Sequence, residues 1–445
     1  MATSYRARPS STAYHSVSSS MLGKNKRTRR PPLGMMRDLL ARLGRMHQFA
    51  ALRHRGFRLL WIASLLSSTA RWADMVVIGW LTLELTDSAL MVGIVAAAKM
   101  AGYLAAPFMG VVADRMDRRL LLIIAAAVNF AVSALMLVLF VSGWLALWHI
   151  IGLALVSSLT WALDNPTRQA FVPDLVNKDD LTNAIALNAV AVEITVVIGP
   201  ALGGILIPSL GMGGTYGLIA AIYLVDVAVL LMLKDVRHTA SEVHESPVRS
   251  LVGGVRYVWG NQTVLMLLVI AFLLNLFAAP YRYAFLPLFA RYILDAGPAG
   301  YGMLTAMAGV GALVAGLWVV SLGNFRHKGR MLVWSSVAWP ATLLLFSLST
   351  WYYLSLALVL AAGLTQAVAW TVIATLILSN TTPSMRGRVM GLRAGVVVSL
   401  PIGNLLAGGA AEGFGAPLAQ GAYAAGALFL MLAIFLRVPR LRRLE

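Results

Sequence analysis

From Phe57 onward the chain repeats one theme, an apolar run followed by a short polar turn. The runs are about 20 residues long, the length a helix needs to cross the hydrocarbon of a bilayer. In hydrocarbon every backbone amide must be satisfied by the chain itself, so only helices or closed barrels can span. Runs of this length, without period-2 alternation, point to helices. The expected spans are 57–83, 89–112, 120–141, 145–166, 184–208, 216–233, 264–287, 300–322, 331–349, 353–379, 389–411 and 418–436. The longest polar interruption, Lys234–Gly260, divides these twelve into six and six.

The expected fold class is therefore an all-α membrane protein, with twelve transmembrane helices in two six-helix pseudo-symmetric bundles, 57–233 and 264–436. A cytoplasmic linker (234–263) joins the bundles, and a basic tail (437–445) follows. Residues 1–56 divide into a Ser- and Arg-rich arm without a secretory h-region and a stretch, Met35–Arg55, with Met36, Leu39, Leu40, Leu43 and Met46 at helical spacing among arginines. That stretch reads as an interfacial amphipathic helix. Composition agrees: 59% of residues are hydrophobic and 12% charged, against about 25% charged in soluble domains.

The net charge of +18 could suggest a nucleic-acid partner, but its distribution says otherwise. Thirty of the 36 Lys and Arg residues fall in the termini and in alternate loops, while the opposite loops hold one, Arg291. This bias places both termini in the cytoplasm. Cysteine is absent, and no His pair has metal-ligand spacing. There is no phosphate-binding loop or dinucleotide fingerprint. No cofactor, metal or catalytic residue is expected.

Ionisable groups within a span are costly and normally face protein or water. Arg71 and Asp74 share a helix face and can pair. Lys99 lies at nearly the same depth, since Asp74 is ten residues before Glu84 and Lys99 eleven after Ser88. Glu193 and Asp226 sit mid-span without a charged neighbour one turn away, so each needs a partner from another helix. Arg282, between Tyr281 and Tyr283, lies near the outer end of its span, where snorkelling and substrate contact are equally open. A permanent structural salt bridge is the plainer reading of Arg71, Asp74 and Lys99; a central proton and substrate site is the functional one.

The halves also show a diverged repeat. Gly110–Arg119 has a counterpart in Gly323–Arg330, Pro173 in Pro383, and Pro200 with Gly203 and Gly204 in Pro401 with Gly403. Two such halves with substrate between them is a common transporter plan.

The turn after the second span reads Gly110-Val-Val-Ala-Asp114-Arg115-Met-Asp117-Arg118-Arg119. It resembles the signature of the major facilitator superfamily. Asp164-Asn-Pro166-Thr-Arg168-Gln169-Ala-Phe-Val-Pro173, Asn183–Asn188 and Arg386-Gly387-Arg388-Val389 are similar to the branch that includes enterobactin exporters and transmembrane secretion effectors. This resemblance implies cytoplasmic gate elements at Gly110, Asp114, Arg115, Arg118, Arg119, Asp164, Pro166, Arg168, Gln169, Arg386 and Arg388. Gly199-Pro200-Ala-Leu-Gly203-Gly204 is similar to the core of the superfamily's exporter motif, which implies tight helix packing. Val190 replaces the earlier glycine of that motif, and Glu193 stands where an uncharged polar residue is expected.

The resemblance implies a proton-coupled exporter of a small amphipathic molecule (siderophore, drug or metabolite). It would act by alternating access as a monomer in the plasma (inner) membrane, with the bilayer, its substrate and protons as partners. An importer or facilitator, a lysolipid flippase, and a membrane-embedded enzyme or sensor are the alternatives.

Overall fold

The computed structural model describes residues 47–234, 247–323 and 326–444. The basic arm and most of the Met35–Arg55 segment lie outside these, as does 235–246 of the linker. Among the described residues there is no strand. The helices that matter below are α1 (Arg55–Thr86), α2 (Ala89–Met100), α3 (Gly102–Arg115), α4 (Arg118–Val141), α5 (Leu147–Leu175), α6 (Leu181–Leu231), α7 (Pro247–Gly260) and α8 (Gln262–Leu273). They are followed by α9 (Gly297–Ser321), α10 (Lys328–Ser347), α11 (Tyr352–Ser379), α12 (Arg386–Val396), α13 (Ser399–Phe414) and α14 (Ala416–Arg437). Between α8 and α9 the chain continues through π turns at Leu274–Ala278 and Phe289–Ile293 and a 3-10 turn at Ala279–Arg282.

Nine helical segments among the described residues are long and apolar enough to cross a membrane. The helices carry large exposed apolar side chains, among them Val138, Val320, Leu345 and Phe429. Such a surface suits acyl chains and not water. Trp144, Trp148, Trp351 and Tyr353 are exposed at helix ends, the headgroup level that amphipathic aromatics favour.

Three sequence expectations are corrected here. The Gly110–Arg119 turn is helical through Arg115, so only Met116 and Asp117 separate α3 from α4. The turn expected after residue 166 is likewise helical, and α5 runs on to Leu175 with Pro166 and Pro173 inside it. Polarity marked these stretches as loops, but a helix that leaves the hydrocarbon has no reason to stop until its backbone finds other partners. Finally, the end of the supposed interfacial helix is a 3-10 helix, His47–Arg53, docked on protein. Ala51 donates its N–H to Asn183 Oδ1 at 3.0 Å, His54 Nε2 lies 2.8 Å from Asp180 Oδ2, and Leu52 is buried.

Glycines set the closest helix approaches. A Cβ on Gly203 would lie 2.7 Å from the Ala73 carbonyl oxygen, and one on Gly199 would lie 2.4 Å from Trp72 Cβ. Only glycine lets α6 lie this close to α1. Gly204, one position on, faces α9 instead: its Cβ would be 2.7 Å from Gly302 Cα. Gly93 of α2 and Gly408 of α13 meet in the same way, at 2.7 Å. These two contacts join the chain before residue 234 to the chain after 247.

Candidate functional site

Five helices bring polar side chains to one chamber. In α1, Ser64, Ser68, Arg71, Trp72 and Met75 recur every three or four residues, and in α5 so do Ser157, Trp161, Asp164 and Arg168. Both patterns form one stripe of a helix. With Lys99 of α2, Tyr103 of α3, Asn188 and Val192 of α6 and Tyr283, these stripes line a cavity of about 290 Å³. It runs from mid-helix toward the N-terminal end of α1 and the C-terminal end of α5, the side on which sequence places the cytoplasm. Aromatic faces line it: Tyr103 and Trp161 stack edge to face at 4.3 Å, and the Arg71 guanidinium lies 6.0 Å from the Trp161 ring centroid.

The charges sort into two groups. Asp74 pairs with the Lys99 ammonium, which also donates to Ser157 Oγ at 3.2 Å. Arg71 does not join them. Although three residues from Asp74, its Nη2 lies 3.6 Å from Asp164 Oδ2, because α5 offers a carboxylate beside the cavity while Lys99 has already taken Asp74. Asp164 also accepts from Arg168 Nε at 2.8 and 2.9 Å, and Arg168 Nη1 reaches Ser64 Oγ at 3.3 Å. Arg168 Nη2 lies 3.5 Å from Asp226 Oδ2. The second group is thus two arginines and two aspartates, drawn from α1, α5 and α6.

Asp226 is fully buried, and neither carboxylate oxygen accepts a hydrogen bond. A small void of about 10 Å³ lies against Ser67, Arg71, Asn129, Asp164 and Asp226, close to the room one water occupies.

Arg282 is buried, 5.9 Å from the Trp72 ring centroid, so the snorkelling alternative is corrected. The π turn before it and the 3-10 turn carrying it rotate the guanidinium inward. Glu193 is exposed and belongs to neither ion group. It shares a helix flank with Val197, whose Cγ2 approaches Gly309 of α9, so Glu193 lies toward the chain after residue 247.

The gate residues implied by resemblance separate. Asp164 and Arg168 are in the buried ion group. Arg118 donates to Asp174 Oδ2 at 2.6 Å and to the Ala170 carbonyl at 2.7 Å, tying α4 to α5; Arg119 donates to the Leu231 carbonyl at 3.0 Å. Gln169 donates to Asn165 Oδ1 at 2.6 Å, one turn from Pro166 within α5. Arg388 lies against Gly253 of α7, and Arg386 is exposed. Gly110, Asp114 and Arg115 lie in α3. The side chains of Asp114 and Arg115 are outside what the structure describes.

Sequence reasoning missed the opposite end. There Asp87 pairs with Arg291 Nη2 at 3.2 Å and accepts from Tyr292 Oη at 2.6 Å. Glu412, from the end of α13, accepts from Ser88 Oγ and the Leu90 N–H, both at 3.0 Å. A carboxylate from one part of the chain thus caps the N-terminus of α2 in the other, where negative charge is favoured. Its only sequence signal was acidic residues within otherwise apolar turns. Glu412→Ala removes that cap. A lost cap costs about 1 kcal/mol, so amide hydrogen exchange at Leu90–Gly93 should quicken about fivefold; unchanged exchange would show that the cap holds nothing.

Helices dressed for hydrocarbon around a polar, ion-paired chamber, sealed at one end and hollow toward the other, define a membrane transporter. The family described as "Transmembrane secretion effector" matches residues 46–445, and the chain belongs to it. It is 27% identical over 369 residues to the enterobactin exporter EntS of Shigella boydii serotype 18, covering 82% of this chain and 84% of that one. It is 26% identical to EntS of Escherichia coli O1:K1 over the same length. Among solved structures, the nucleoside transporter NupG superposes with a TM-score of 0.68 at 13% identity, covering 85% of this chain and 98% of that one. The D-xylose-proton symporter gives a TM-score of 0.66 at 11% identity, covering 85% and 97%. The chain is therefore a multi-pass membrane transporter of major facilitator type that resembles enterobactin exporters.

Proposed function

We propose that the chain is a proton-coupled exporter that moves a small amphipathic molecule by alternating access between two six-helix bundles. The observation that carries this reading is the cavity. Trp72, Met75, Tyr103 and Trp161 offer apolar and aromatic contact, Arg71 and Lys99 offer charge, and the tight glycine contacts lie beyond its closed end. A bulky substrate with a flat apolar part and a polar or anionic part suits such walls. Export as the direction rests on similarity to the enterobactin exporters, since one fold hosts both directions of transport.

Twelve spans are supported by simple accounting. Nine segments among the described residues are long and apolar enough to cross, and one of them, Lys178–Leu231, is broken at Gly211, where φ is 70°. The helices α1 and α10 fall outside the nine. Serines and charges dilute α1, as do serines and Pro340 in α10, yet at 32 and 20 residues both are long enough to cross. The arginine bias supports cytoplasmic termini, and the inner membrane follows as the place where a proton gradient can drive efflux. We read the working unit as a monomer, with the 264–436 bundle joined to 57–233 through the linker.

Asp226 and Asp74 are the proposed proton carriers. Each is a buried carboxylate facing a cation across a distance that protonation would change, and the small void beside Asp226 lies against Arg71, Trp161 and Asp164, which also line the cavity. The expected result in proteoliposomes is that Asp226→Asn or Asp74→Asn abolishes substrate-driven proton movement while the protein remains inserted. Normal proton movement in both variants would remove the coupling assignment. Efflux against uptake in inverted vesicles tests the direction, with net uptake favouring the importer reading.

A further inference from the structure

The cytoplasm-side surface of the chain after residue 247 holds a second, separate cavity. Helix α7 directly precedes the apolar segment that begins at Gln262. It seats on α12 through Gly253 and Gly254, which approach Arg388 and Leu392. Its other face exposes Val252, Val255 and Trp259, spaced as one helical stripe, with Trp259 73% exposed. No protein element covers that stripe among the described residues.

Beside it, a cavity of about 470 Å³ opens between α7, the start of α8 and the turn Pro439–Arg443. Arg256, Tyr257, Asn261, Gln262, Thr263 and Arg440 line it. Tyr257 Oη accepts from the Thr382 N–H at 3.2 Å, and Asn261 Nδ2 donates to the Asn380 carbonyl at 3.0 Å, so the inner wall is fixed. The two arginines are exposed at the mouth. Within 247–263, 326–330, 380–388 and 437–444 there is no Asp or Glu to balance them.

We propose that this cavity binds the phosphate-bearing headgroup of an anionic lipid, with α7 lying in the interface beside its acyl chains. Arg256 and Arg440 would hold the phosphate and Asn261, Gln262 and Thr263 the glycerol hydroxyls. The exposed Val252–Val255–Trp259 stripe favours a lipid over free phosphate, because a soluble anion has no use for an apolar helix face at the cavity's edge. The proposal rests on the chain spanning a membrane, and not on which solute it carries.

The test is native mass spectrometry of the full-length, detergent-purified protein titrated with phosphatidylglycerol, phosphatidylcholine or inorganic phosphate. At roughly 1 kcal/mol for each basic contact at a membrane surface, Arg256→Gln with Arg440→Gln should lose about thirtyfold in phosphatidylglycerol affinity, and Arg440→Gln alone about fivefold. Phosphatidylcholine binding should not change. Arg326→Gln with Arg330→Gln, an equal loss of charge outside the cavity, should keep phosphatidylglycerol affinity. Trp259→Ser should weaken the lipid. Should the double variant not elute as a single species, Arg440→Gln carries the test, since it lies on an exposed turn. Equal losses in the cavity and control variants would overturn the site. Displacement of the lipid by millimolar inorganic phosphate, with Trp259→Ser without effect, would overturn the lipid as occupant.

Discussion

Replacing Asp164 by asparagine is expected to lower the thermal unfolding midpoint of the purified protein more than any other single change at the site. Asp164 is the hub of the buried ion group: it takes Arg168 Nε on both oxygens and Arg71 Nη2 on one. Without its charge two guanidinium groups share Asp226 alone, at 3.5 Å from Arg168. Removing one partner of a buried pair costs ~3–5 kcal/mol, because the remaining charge stays out of water. Adding Arg71→Gln to Asp164→Asn restores the balance of charge and should recover part of the loss. An unchanged midpoint in the single variant would mean that Asp226 neutralises both arginines unaided.

The second large effect is expected from Gly204→Val, which should hold the protein open at the end where Asp87 and Glu412 lie. Its new Cβ would meet Gly302 Cα at 2.7 Å and the Pro298 carbonyl oxygen at 2.8 Å. Both are backbone atoms and cannot rotate away. Overpacking of this kind costs about 1–3 kcal/mol, enough to slow transport by about tenfold or more. Because the chain has no cysteine, Met75→Cys gives a clean reporter in the cavity, and its thiol should react faster from that end in the Gly204→Val background. Gly203→Val is the contrast. Its clash is with Ala73 of α1, inside the first part of the chain, so it should lower stability without changing access. Equal reactivity in the two backgrounds would mean that the α6–α9 contact does not seal the cavity.

Much of the site was legible as a set of residues but not as a set of pairs. Asp74, Lys99, Arg71 and Asp226 stand out because a charge in an apolar run is costly wherever it points. Spacing alone made Arg71 and Asp74 partners; packing gave Asp74 to Lys99 and Arg71 to Asp164. Asp164 read as the end of its span and Arg168 as a residue of the turn after it, since polarity and proline at 166 mark a turn, yet α5 continues through both and brings them into the chamber. Trp161 and Ser157 were recoverable from the same helical stripe. Asp87 and Glu412 were not, because the partners of each, Arg291 and Tyr292 for one and Ser88 and Leu90 for the other, lie far away along the chain and leave no periodic trace.

The amino-acid order by itself determined that this chain lives in a bilayer, where its apolar runs begin and end, and that its arginines collect in the termini and alternate loops. Those follow from transfer free energies that act residue by residue. Only the tertiary structure decided which ions pair, which glycine faces which helix, and where space remains. Each of those depends on how rods from distant parts of the chain come to rest against one another, and a buried charge answers to whichever opposite charge arrives nearest.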